Sequence, residues 1–359
     1  MIYFVVLILL FLFSILDEII VLKKENRNVI FFFAFLTIII LAGLRGNVEP
    51  DYSHYLNIYN SAQWNNYFKN DSVEIGYYYY NVILKDFGIG FQFVIFSMAF
   101  VTVFFKLKIL KEYSPNYIIS FLLYYCSLFF LYDFIAIRQA LAMSIFMLSI
   151  PHIINRNLPK FLLYIGIAAL FHISVLILIP VYFLLKYKYN NFIVLLVLLA
   201  CLGLNIANVS FPLIDFLRNY IPLPSFTKAK LDFYSMETEY AFISVRLLIF
   251  AFIFLFYKWI VKTDEKFNLF FNLFFIGVLI TTLFNEIPQF SYRIKAYFLW
   301  TDVLLWVFII EKTFKQYIIL KIFSYAVLIS IYTITLLEFL KSVSERGNYI
   351  YPFKFFWET

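Results

Sequence analysis

Stretches of 15 to 20 residues with almost no charge recur along most of this chain. Each is long enough, as a helix, to cross a hydrocarbon layer about 30 Å thick. The chain has 359 residues and is 64% hydrophobic, with a mean hydropathy of +0.85, more apolar surface than a soluble core requires. The stretches are apolar all round, whereas a membrane β-barrel would alternate apolar and polar residues. The fold class is therefore all-α and polytopic, a single transmembrane domain over 1–359. The first run has neither a basic flank before it nor a small-residue cleavage site, so it reads as a retained helix rather than a signal peptide.

Apolar runs occupy 1–20, 29–44, 88–106, 117–132, 134–152, 160–171, 173–186, 191–209, 241–259, 267–284, 292–310 and 317–339. The sixth and seventh are short, and read as a hairpin of two short helices turning near Phe171 and His172. The alternative is one long tilted helix. Charge separates the two. One alternate set of loops carries Lys23, Lys24, Arg27; Lys106, Lys108, Lys111; Arg156, Lys160; Lys186, Lys188; Lys258, Lys262, Lys266; and Lys312, Lys315. The positive-inside rule assigns that set to the cytoplasm, and the pattern stays consistent only if 160–186 crosses twice. The expectation is about twelve transmembrane helices, both termini outside, and two larger external segments at about 45–87 and 210–240. In the first, Asp51, Tyr55 and Tyr59 would share one face of a helix starting after Pro50. EIGYYYYNVIL, residues 74–84, would form a short helix on the outer surface, its tyrosines at headgroup level. The second has three prolines and reads as a lid or collar, or as a plain connector.

On this topology the polar residues within or beside apolar runs fall near the outer face. They are Arg45, Asp51, Glu74, Asp133, Arg138, His172, Arg293 and Lys295. An arginine at bilayer depth costs about 2.5–3.5 kcal/mol on insertion scales, so several at one depth point to a shared wet cavity on the external face. Bland readings stand beside this one. Arg45 could snorkel, Asp133 could pair with Arg138, Lys295 could be an interfacial anchor, and His172 could be a satisfied turn histidine. Of the other histidines, His152 reads as interfacial and His54 as incidental. Cys126 and Cys201 sit in apolar runs and read as small core residues. No spacing of His, Cys, Asp or Glu fits a metal site, and no dinucleotide, P-loop or serine-hydrolase motif is present. The net charge of +7 lies in short loops and does not indicate nucleic acid. Arginine forks match phosphate oxygens, so the ligand expected is a lipid whose phosphates lie at headgroup level.

Several motifs, taken in order, resemble a known family. They are GLRG at 43–46 with Asp51, Tyr52 and Tyr55; Glu74-Ile75-Gly76-Tyr77; Arg138-Gln139-Ala140-Leu141-Ala142; Leu170-Phe171-His172; and Ser291-Tyr292-Arg293. This set resembles the EpsG family of bacterial polysaccharide polymerases, which includes many Wzy-type O-antigen polymerases. The final stretch YIYPFKFFWE is also similar to tails in that family. One departure is Glu49, where many relatives carry Gly two residues before the aspartate. The resemblance implies a lipid-to-lipid glycosyltransferase at the periplasmic face of the bacterial inner membrane. Such an enzyme moves a chain from undecaprenyl pyrophosphate to the end of a new lipid-linked repeat unit. No cofactor or metal is called for. Arg45, Arg138 and Arg293 are the candidates for pyrophosphate, His172 the first candidate base, with Asp51 or Glu74 the second, and Tyr55, Tyr59 and Tyr78 the candidates for stacking on sugars. Donor and acceptor lipids are the expected partners, with room for a separate chain-length regulator protein. A transporter or flippase and an O-antigen ligase-like enzyme are the competing readings.

Overall fold

The computed structural model describes every residue except 1, 21, 68–72, 222–227, 230–231, 233–244, 286, 348–349, 351 and 359. It is helical throughout. Two long helices open the chain, α1 (Ile2–Ile20) and α2 (Lys24–Gly43), followed by the short α3 (Tyr52–Ser61) and α4 (Ile75–Asp86). Next come α5 (Phe91–Tyr113), α6 (Tyr117–Tyr124), a π-helical continuation (Tyr125–Ile135), α7 (Ile137–Leu148) and α8 (Ile150–Ile154). The hairpin pair is α9 (Leu158–Ala169) and a 3₁₀ turn (Ile173–Ile177) leading into α10 (Leu178–Leu184). The remainder is α11 (Asn191–Ile206), α12 (Ser210–Tyr220), α13 (Val245–Thr263), α14 (Glu265–Leu283), α15 (Pro288–Leu299), α16 (Thr301–Thr313) and α17 (Ile318–Gly347).

Among the described residues, seven helical stretches are long and apolar enough to cross a membrane. The chain is thus a polytopic membrane protein of fewer full-length spans than twelve apolar runs suggested. The difference has physical causes. At 12 residues, α9 is about 18 Å long, and the chain turns at 170–172 before the 3₁₀ segment, so the two-helix hairpin is the form taken. The run at 292–310 is broken at Trp300 into α15 and α16. In α13, three basic residues (Arg246, Lys258, Lys262) interrupt the apolar surface.

The bundle has two chemically different ends. At one end Lys111 donates to Asn28, 2.7 Å, Arg27 pairs with Asp17 at 3.0 Å, and Lys321 bridges Glu18 and Glu311. Lys266 lies over the Tyr113 ring, and Asn268 and Asn272 donate to Tyr187 O at 3.1 and 2.8 Å. These contacts gather five of the six basic loops at one end, as positive-inside counting requires. Lys106 is the exception. It is buried within α5 and pairs with Asp133 at 2.6 Å, while Tyr124 donates to the other Asp133 oxygen at 2.7 Å. A buried ammonium needs a carboxylate, so Lys106 leaves the loop set and Asp133 is taken by Lys106 rather than Arg138.

At the other end the chain termini meet the α2–α3 loop. Gly46 N donates to Lys354 O at 2.9 Å, Ile350 N to Val48 O at 2.7 Å and Phe356 N to Leu44 O at 3.0 Å. The aromatic tail thus clamps the GLRG segment. The tyrosine run differs from expectation. Tyr77 and Tyr78 are fully buried, their rings packed on Tyr55 and Tyr67 rather than lying at a headgroup boundary. Of the second external segment, α12 is described. Its proline-rich remainder, and with it the lid or collar reading, lies outside the described residues.

Candidate functional site

Three segments far apart in sequence converge on one carboxylate. Glu74 precedes the first turn of α4, where the helix dipole favours negative charge. Its Oε2 pairs with Arg138 Nη1, and its Oε1 lies 3.2 Å from His172 Nδ1. Arg138 sits in the first turn of α7, an unfavourable end for a cation, so the pairing with Glu74 compensates it. Its guanidinium lies 5.9 Å from the Tyr55 ring centroid and 5.6 Å from that of Tyr77. The side chains of Glu74, Arg138 and His172 are 3%, 15% and 13% exposed, so the cluster is largely closed over.

The contact between the EIGY and LFH motifs is a backbone fit. Gly76 N and Tyr77 N both donate to Leu170 O, at 2.8 and 3.3 Å. A Cβ at Gly76 would stand 2.7 Å from that oxygen, so only glycine lets α4 approach the hairpin turn closely enough for Glu74 to reach His172. From a fourth segment, Gln139 donates its amide to Arg293 O, and Ser174 and Tyr297 share a hydrogen bond of 2.9 Å. Arg293 is close enough to act on His172 electrostatically. Burial, with Arg138 and Arg293, pushes His172 below the ordinary imidazole range against the pull of Glu74. The ring is therefore neutral at pH 7. With Nδ1 facing the carboxylate, Nε2 carries the free lone pair.

Arg45 is enclosed in a separate pocket of contacts. It has no exposed surface, donates to Ala42 O, lies 3.5 Å from Glu49 and stacks over Phe134 at 4.9 Å. Glu49 in turn accepts from Asp51 N at 2.6 Å, which fixes the turn into α3 with Asp51 as its N-cap. Burial outweighs Arg45 and pushes the Glu49 carboxyl up to about 8. Arg45 and Asp51 adjoin the Arg138 cluster through Tyr55, which feels Asp51, Glu49 and Arg138 alike. Sequence reasoning noted Glu49 only as a departure; its spacing of four from Arg45 was the available signal.

The three tyrosines proposed for sugar stacking do not present free faces. Tyr55 and Tyr78 are buried, and Tyr59 donates its hydroxyl to Ile89 O at 2.8 Å. Beside them lies an open hollow of about 590 Å³ lined by His54, Asn57, Asn60, Ser61, Val73 and Tyr78. Its amide and hydroxyl lining suits neutral, hydroxyl-rich ligands. Among the described residues no three His, Cys, Asp or Glu side chains gather as metal ligands.

A helical membrane bundle with a buried arginine–glutamate–histidine cluster at the end opposite its basic loops defines a membrane-embedded protein of polysaccharide biosynthesis once its relatives are considered. The chain matches the EpsG family over residues 28–355 and belongs to it; this family is associated with polysaccharide polymerases. No curated protein and no solved structure matches the chain.

Proposed function

We propose that the protein is a lipid-to-lipid glycosyltransferase that polymerises repeat units carried on undecaprenyl pyrophosphate, with its site opening to the periplasmic face of the inner membrane. The observation that carries this reading is the meeting of Glu74, Arg138 and His172 from three separate segments, with Arg293 in electrostatic reach.

The reaction breaks the bond between the donor's anomeric carbon and a diphosphate oxygen. It forms a bond from that carbon to the acceptor hydroxyl oxygen, from the opposite face, with inversion. Arg138 and Arg293 stabilise the negative charge that develops on the departing diphosphate, so the residues supply the positive charge themselves. His172 Nε2 accepts the acceptor's proton. Glu74 holds the ring by Nδ1 and stabilises the imidazolium that forms, as a carboxylate does behind any catalytic histidine. Arg45 and Glu49 act at one remove, positioning the α3 segment that carries Asp51 and Tyr55. The polar hollow beside α3 is where the glycan lies.

Membranes containing the protein, given purified lipid-linked repeat unit, should elongate the glycan and release undecaprenyl pyrophosphate in step. A carrier would release none, and a ligase would release it only with a second lipid acceptor.

A further inference from the structure

α15 carries two cations two residues apart, Arg293 and Lys295. On a helix that spacing is about 200°, so they leave on opposite faces. Arg293 faces the Glu74–His172 side. Lys295 faces Arg246, at the start of α13, and Arg246 pairs with Asp302 in the first turn of α16. Tyr332 of α17 adjoins both members of this pair. The second centre thus holds two cations and one carboxylate, all at the edge of the described bundle. Tyr132 lies within reach of both centres, beside Arg246 on one side and Tyr297 on the other.

From this second centre an apolar groove runs between α13, α16 and α17. It encloses about 430 Å³ and is lined by Phe252, Trp306, Ile309, Val327, Ile331 and Tyr332 among others. Tyr332 belongs to both the groove and the charged centre. Phe252, Val327 and Ile331 are about half exposed on its rim, so a chain can enter sideways from the bilayer. An excess of positive charge at the head of a long apolar trough complements an anionic head on a long hydrocarbon tail.

We propose that this groove, headed by Arg246 and Lys295, seats the hydrocarbon chain and diphosphate of a second polyprenyl diphosphate lipid, so that α15 separates two lipid-diphosphate sites. A helix with its side chains is about 10–12 Å across, a separation that a short oligosaccharide bridges. The acceptor's diphosphate then stays at Arg246 while its far sugar reaches His172. The pairing of the two sites rests on the two-carrier reaction proposed above; the lipid site itself does not.

The test is photocrosslinking of the full chain in phospholipid nanodiscs, with p-benzoylphenylalanine in place of Phe252 and radiolabelled undecaprenyl diphosphate as probe. Labelling should be competed by unlabelled undecaprenyl diphosphate and not by phosphatidylglycerol. It should fall about tenfold in the Arg246→Gln, Asp302→Asn double variant, which leaves no buried charge unpaired, and be unaffected by Arg138→Lys. Ile331→Trp, which fills the rim and leaves the ion pair intact, should also suppress it. Labelling that survives both changes, or that phosphatidylglycerol competes equally well, overturns the proposal. The assay needs no turnover, so labelling that follows these rules in a protein unable to elongate a glycan would sink the polymerase reading alone.

Discussion

Arg45 and Arg138 are both buried and both paired with a glutamate, yet their surroundings differ in kind. Arg45 is held locally, by a carbonyl of its own helix and by Glu49 four residues on, and is capped by the chain's C-terminal strand. Arg138 is held by residues 64 and more positions away, beside a neutral histidine and two tyrosine rings. A locally satisfied cation fixes a turn. A cation assembled from distant segments, with a base and a second arginine in reach, can respond to a ligand. The lesson is that burial of an arginine in a membrane protein does not say what it does; the origin of its partners does.

The largest expected effect that sharpens this contrast is at Arg138. Arg138→Lys should lower elongation by at least about a hundredfold while the protein still accumulates, because an ammonium cannot reproduce the bidentate fork. Full activity in that variant, measured by elongation in membranes, would remove Arg138 from the diphosphate site. Next is His172→Ala, with an expected loss of about 10²-fold or more, typical of a missing general base. Since burial lowers the His172 pKa, the wild-type rate should be flat above about pH 6.5 and fall only on further acidification, as the ring takes up a proton. An acid limb lying above that value would contradict the assignment.

Gly76→Ala comes third. The added methyl meets the Leu170 backbone, so α4 must move away and carry Glu74 from His172; a rate loss of about tenfold is expected, without change in the pH limb. The smallest functional effect is expected where the local pair is removed. Arg45→Ala alone should destabilise the protein, by about 3 kcal/mol, the low end for an abandoned buried partner, because Glu49 with its raised pKa takes a proton below about pH 8 and escapes part of the penalty. Above that pH the uncompensated carboxylate ionises and the melting temperature should fall further. Adding Glu49→Gln should remove that pH dependence and recover stability.

Much of the architecture was legible in residue order. The helical class followed from the apolar runs, and α3 and α4 fall where Pro50 and the tyrosine run placed them. The hairpin at 170–172 was recoverable because Lys186 and Lys188 had to share an end with Lys258 and Lys266, and the contacts of Asn268 and Asn272 with Tyr187 show that they do. Arg138, Glu74 and His172 were each named from their motifs, but their mutual contact was not foreseen, because nothing in a sequence reports which turns meet. Lys106 looked like a loop cation because it ends an apolar run; only Asp133, 27 residues later, reveals it as a core pair. Arg246 stands one residue into its helix, the same signal that singled out Arg138, and was passed over beside the proline-rich segment. Tyr55 and Tyr78 have the composition of a sugar platform, and their burial is a property of packing alone.

The most direct measurement is release of undecaprenyl pyrophosphate from saturating purified lipid-linked repeat unit, compared at equal folded protein in the wild type, Arg138→Lys and the Arg45→Ala, Glu49→Gln double variant. The account predicts that release falls about a hundredfold or more in Arg138→Lys and stays within about threefold of wild type in the double variant. Equal losses in the two, or an undiminished rate in Arg138→Lys, would contradict it.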